Sequence, residues 1–130
     1  MATRTRLSAE ASDILKGLEK RTRLTPNVLA RLALALSLED RTPFSGTEPA
    51  HSGLEFNHST LYGEHEALYH HLAIEWAENR KDPNRILRLH IERGAVYLRN
   101  FLAARGLADL AVFDPNSKAT RRAKTAPVGS

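Results

Sequence analysis

The residues most able to do chemistry are six histidines, His51, His58, His65, His70, His71 and His90, scattered among carboxylates. Helical histidines with acids at the right spacing can hold a metal ion. His65-Glu66 begins like a zinc-protease motif, but the next histidine on that pattern is His70, five residues on, which turns it off the face a four-residue spacing would share. Glu55 and His58 have the three-residue spacing of a di-iron site, with no second copy to complete one. His71 and Glu75 share a helix face, as do His90, Arg93 and Tyr97, and for His90 a buried, hydrogen-bonded structural role is expected. No metal site, cofactor or catalytic set is assigned. Neither a glycine-rich phosphate loop nor a nucleophile elbow occurs in the sequence.

The second chemistry is phosphate binding. Up to position 31 the basic residues Arg4, Arg6, Lys16, Lys20, Arg21, Arg23 and Arg31 outnumber Glu10, Asp13 and Glu19. Lys16 and Lys20, four apart, share one face of a helix, away from the Ile14 and Leu18 stripe. Thr25 and Asn27 stand where a helix start would present backbone N–H groups to an anion. These nine residues (Arg4, Arg6, Lys16, Lys20, Arg21, Arg23, Thr25, Asn27 and Arg31) are the expected DNA contacts. From Glu39 to Glu78 the sign reverses, with Arg41 alone against eight acids, and positive charge returns from Arg80 to Arg105. An acidic middle between basic ends suits a chain that offers one face to a polyanion and another to protein.

The elements that must position these residues are mainly helical. At 130 residues, with 42% hydrophobic and 26% charged content, the chain has the size and balance of one soluble domain. Ser8 caps a helix to about Arg21; Thr25-Pro26 opens a second to about Leu38, apolar enough all round to be buried between helices or subunits. Positions 40 to 63, broken by Pro43, Gly46, Pro49, Gly53 and Gly63, read as a long connection, either mobile or engaged with a partner. A third helix begins near Glu64 and Glu66, with Leu68, Leu72 and Trp76 as its stripe, and ends near Arg80-Lys81. Asp82-Pro83 starts a fourth, reaching about Ala104, with Leu87, Ile91, Ala95, Leu98 and Leu102 facing a core. The expectation is a four-helix domain over residues 1–113 that assembles as an oligomer, followed by a disordered basic tail over 114–130.

Thr3-Arg4-Thr5-Arg6-Leu7 alternates like a strand, so strand, helix, turn, helix follow in the order of a ribbon-helix-helix unit. The same residues also fit a disordered basic arm leading into a helical hairpin, and both readings stand at this point. No apolar run is long enough to span a bilayer, and no signal-type hydrophobic region follows Met1-Ala2-Thr3-Arg4, so a cytoplasmic location is expected. The chain has no cysteine, which removes disulfides, thiol nucleophiles and thiolate metal sites from it.

Three stretches carry a family resemblance: Arg6-Leu7-Ser8 continuing through Arg21-Thr22-Arg23-Leu24-Thr25-Pro26-Asn27-Val28-Leu29-Ala30-Arg31; Leu54-Glu55-Phe56-Asn57 with Gly63-Glu64; and His90-Ile91-Glu92-Arg93-Gly94. Together they resemble the DndE family, the small component of bacterial DNA phosphorothioation systems, over about Arg6 to Leu110. At Glu92 the family pattern leads one to expect another histidine, so a histidine pair there is not carried over. The resemblance implies a mainly helical homotetramer whose basic surface binds duplex DNA, nicked DNA included. It also implies partners: a cysteine desulfurase, an iron–sulfur protein and an ATPase component. With no cysteine in this chain, sulfur chemistry would fall to those partners, and this chain would be a non-catalytic accessory subunit. The competing readings are a ribbon-helix-helix-like transcriptional regulator that reads bases through Arg4 and Arg6, a scaffold using its acidic middle, and a metal-dependent nuclease.

Overall fold

The computed structural model describes residues 3–77 and 82–105, and the expected tail over 114–130 lies outside them. The elements are β1 (Arg4–Arg6), α1 (Ala9–Thr22), α2 (Pro26–Glu39), β2 (Glu55–Asn57), α3 (His58–Leu61), a 3₁₀ turn (Gly63–His65), α4 (Glu66–Ala77) and α5 (Pro83–Arg105). The described residues are thus mainly helical, with five helices and one two-stranded sheet where four helices were expected. The extra helix is α3, one turn long, capped by the Asn57 side chain on the Ser59 amide.

α2 and α5 form the central pair, with the most extensive contact in the fold. Their crossing requires Gly94: a Cβ there would stand 1.8 Å from the Ala33 carbonyl oxygen of α2. Such close backbone approach is open only to glycine. α5 buries Leu87, Ile91, Ala95, Leu98 and Leu102, as their three- and four-residue spacing predicted. α1 adds Ala11, Leu15 and Leu18, and α2 adds Leu29, Ala30, Ala33 and Leu34. Burying a leucine of this kind contributes about 1.5–3 kcal/mol.

The expectation of an irregular connection over the whole of 40–63 is corrected. Leu54 to Leu61 is docked: Leu7 donates to the Leu54 carbonyl at 2.8 Å, and β2 pairs antiparallel with β1 in the register Arg4 to Asn57, Thr5 to Phe56 and Arg6 to Glu55. Gly53 lies so close to α1 that a Cβ would meet Ser12 Oγ at 2.1 Å. The N-terminal segment is therefore a strand and not a free arm. The strand–helix–helix order is present, but β1 takes its partner from the same chain.

The stripe expected on α4 is corrected in part: Trp76 packs against the core, but Leu68 is 53% and Leu72 38% exposed. Tyr69 and Ala73 face the core beside Trp76 in place of the two leucines. Two aromatic anchors set this rotation: Tyr69 lies 5.2 Å from the Tyr62 ring, and Trp76 Nε1 donates to the Asp40 carbonyl at 3.0 Å. An indole or phenol with a fixed neighbour outweighs two leucines that can stay in water singly.

Candidate nucleic-acid interface

The corner between α1 and α2 is built from local rules. Ser8 Oγ accepts the Ala11 amide at 3.1 Å and starts α1, whose apolar side turns inward and leaves Lys16 and Lys20 exposed. α1 ends at Arg23 in the left-handed conformation, φ 65°, with its N–H donating to the Glu19 carbonyl at 2.8 Å. Thr22 Oγ1 donates to the Leu18 carbonyl at 2.7 Å and accepts the Leu24 amide at 3.2 Å, tightening the turn. Thr25 Oγ1 then accepts the Val28 amide at 3.4 Å, and Pro26 occupies the first helical position of α2. The Asn27 amide is among those a helix start cannot satisfy by itself.

The result is a row of cations, Lys16, Lys20, Arg21 and Arg23, all exposed, next to the N-terminus of α2. Among the described residues no carboxylate lies within 4.0 Å of any of the four. Cations and a helix N-terminus in one place make a site suited to phosphate.

The other expected contacts have internal partners. Arg4 reaches Glu55 at 3.1 Å, and Arg6 forms a short pair with the same carboxylate while donating to the Gly53 carbonyl at 3.0 Å. Both stay partly exposed, beside a neutralising acid. Arg31 Nη1 donates to the Leu61 and Thr60 carbonyls at 2.9 and 3.4 Å, tying α2 to α3.

The histidines separate cleanly. His90 is fully buried, with Nδ1 2.7 Å from Ser37 Oγ. Burial, and then the nearby Arg93 charge, hold its pKa down at about 4. His71 Nε2 lies 3.8 Å from Glu75 on the exposed side of α4. His58 is buried with Nε2 2.6 Å from Thr5 Oγ1 and Nδ1 3.3 Å from Glu66. Glu55 points to the opposite, exposed face of the strand, so the Glu55 and His58 spacing makes no shared site. Among the described residues no three His, Asp or Glu side chains gather closely enough to hold a metal ion.

Two neighbours on α5 were missed. Arg93 donates to the Ser37, Asp40 and Thr42 carbonyls at 3.0, 3.1 and 2.6 Å and lies 4.4 Å over the Phe44 ring. Beside it the Tyr97 hydroxyl donates to Asp40 Oδ2 at 2.6 Å, which holds the Asp40 carboxyl well below the usual range. Glu92 accepts from both the amide and the hydroxyl of Ser8 at 2.7 Å. The shared helix face of His90, Arg93 and Tyr97 was visible in the sequence, but not the partners that Arg93 and Glu92 take from other elements.

The family model described as DNA sulphur modification protein DndE matches residues 4–105. The fold is similar to the crystal structure of DndE from Escherichia coli B7A, involved in DNA phosphorothioation modification. The two share 28% identity over 77% of this chain and 98% of that one, with a TM-score of 0.65. A double glycine-to-lysine mutant of DndE, involved in DNA phosphorothioation, is similar at 27% identity over 77% and 99% of the two chains, with a TM-score of 0.61. No curated protein matches the sequence.

Proposed function

Because the chain belongs to the DndE family of DNA sulphur modification proteins, we propose that it is the DNA-binding accessory subunit of a phosphorothioation complex. It holds duplex DNA, nicked duplex included, while partner proteins exchange a backbone oxygen for sulfur. The observation that carries this reading is the exposed row Lys16, Lys20, Arg21 and Arg23, without a carboxylate within reach among the described residues. Cations already paired in the folded chain release few counterions on binding; unpaired ones neutralise phosphate at full effect. Thr25 and the Asn27 amide add neutral phosphate contacts, and Arg4 and Arg6 contribute less because Glu55 shares their charge.

Contacts of this kind position a backbone and do not read bases. The subunit therefore binds without strong sequence preference and leaves chemistry to a desulfurase, an iron–sulfur protein and an ATPase component. A homotetramer would repeat the row and raise avidity without any new contact. Among the described residues no helix is long and apolar enough to cross a membrane, which agrees with work on DNA in the cytoplasm.

The test is a salt titration of duplex binding by the wild-type chain and by a Lys16, Lys20 and Arg23 triple alanine variant. Each lost phosphate contact flattens the log–log slope by about 0.9. Unchanged affinity and slope in the triple variant would exclude the row as the interface. Intact, nicked and single-stranded DNA compared in the same buffers would measure the nick preference.

A further inference from the structure

A pocket of about 240 Å³ opens between β1, the segment carrying Glu48 and the first turns of α5, and it collects Arg4, Arg6, Arg85 and Arg88. Arg88 gives it direction. Its side chain is 5% exposed, held by Nε on the Arg6 carbonyl at 2.8 Å and by Nη2 on the Pro49 and Ala50 carbonyls at 2.9 and 2.7 Å. These bonds fix the guanidinium plane and leave Nη1 buried with no hydrogen-bond acceptor. A buried charged donor normally has one.

The group nearest to satisfying it is Glu48. Its Oε1 is 3.9 Å from Arg88 Nη1 and 3.1 Å from Arg85 Nε. Glu48 is 40% exposed and Arg85 52%, so a single surface carboxylate oxygen bridges one exposed and one buried guanidinium, reaching hydrogen-bond distance only on the exposed one. Of the remaining acids, Glu55 pairs with Arg4 and Arg6, Asp82 accepts the Arg85 amide at 3.2 Å, and Glu92, bonded to Ser8, lies 3.9 Å from Arg88 Nη2 on the other branch of the guanidinium, so none of them reaches Nη1.

We propose that this pocket is an anion site, distinct from the α1 row, in which Glu48 occupies the place of a phosphate-class oxyanion. The tetrahedral anion offers several oxygens at once, so it can bond Arg85 and Arg88 Nη1 together where one carboxylate oxygen falls short. Arginine forks are suited to such bidentate contact. Binding moves Glu48 outward into solvent, and Glu48 sets the affinity by competing for the site. This inference does not depend on the DNA-binding reading, because free phosphate alone reports on it.

Inorganic phosphate is titrated calorimetrically into the full-length chain at constant ionic strength. Glu48→Ala should tighten phosphate binding about tenfold and Arg85→Ala should weaken it about tenfold, the scale of one charge-assisted hydrogen bond. The same affinity in wild type, Glu48→Ala and Arg85→Ala would overturn the proposal. So would a loss confined to the Lys16 and Lys20 alanine variants. A duplex that displaces bound phosphate identifies the group as a DNA backbone phosphate; a duplex that does not identifies it as a free phosphate compound. Either result leaves the anion pocket standing.

Discussion

Glu92 Oε2 accepts the backbone N–H of Ser8 at 2.7 Å, and Glu92 Oε1 accepts the Ser8 hydroxyl at the same distance, joining residues 84 positions apart. Ser8 is the N-cap of α1. In a local capping box the acid would stand three residues after the serine, where this chain has Ala11. Here α5 supplies it from across the fold. The next residue, Arg93, closes the C-terminal end of α2 through the Ser37 and Asp40 carbonyls. An acid at one helix start and a base at another helix end both complement the dipoles. Two consecutive residues of α5 thus set α1, which carries the cation row, and α2, whose start adjoins it.

Glu92→Ala should therefore destabilise the chain by about 2–4 kcal/mol, since two charge-assisted bonds disappear and buried Arg88 loses a nearby acid. Glu92→Gln keeps one acceptor oxygen and should lose about half as much. Urea unfolding measures both. A Glu92→Ala midpoint equal to wild type would rule out the long-range cap.

Gly94→Ala tests the crossing of α2 and α5. The added methyl would overlap the Ala33 carbonyl, so the helices must separate, at a cost of about 1–3 kcal/mol despite the better helix propensity of alanine. A thermal melt of the variant should show a lowered midpoint, and an unchanged or raised one would mean that the crossing relaxes freely.

Arg31 and Lys20 should part company. Arg31→Ala removes the Leu61 and Thr60 tether and should lower stability by about 1 kcal/mol, with a small effect on the salt slope of DNA binding. Lys20→Ala should leave stability within about 0.5 kcal/mol of wild type and flatten that slope by about 0.9. Denaturation and salt titration of both variants resolve the two roles, and the reverse pattern would move the interface to α2.

His90 predicts an acid sensitivity. Its pKa is held down at about 4 in the folded chain, so on acidification the unfolded chain takes up the proton first. The contribution is complete above the ordinary value near 6.5, is lost as pH falls from there toward about 4, and changes no further below that. The total is about 3 kcal/mol. His90→Gln should flatten the stability profile between pH 6.5 and 4 relative to wild type in paired melts, and parallel profiles would remove His90 as the cause.

The helices were legible because their signals are local. Ser8, Thr25-Pro26 and Asp82-Pro83 mark starts within one residue of where they occur, and the α5 stripe is buried as its period requires. The cation row was legible for the same reason: Lys16 and Lys20 share a face by helix geometry alone. Tertiary structure decided which charges remain available. Arg4, Arg6, Arg88 and Arg93 look like Lys16 and Lys20 in the sequence, yet their hydrogen-bond partners lie 38 to 82 residues away, beyond anything periodicity can relate; among the described residues only the Arg88 and Glu92 pair, four apart on α5, has helical spacing. The rotation of α4 and the pairing of β1 with β2 were hidden likewise, because each depends on which distant surface was there to cover it. Residue type and spacing placed the basic N-terminal zone; packing selected the cations within it that remain unpaired.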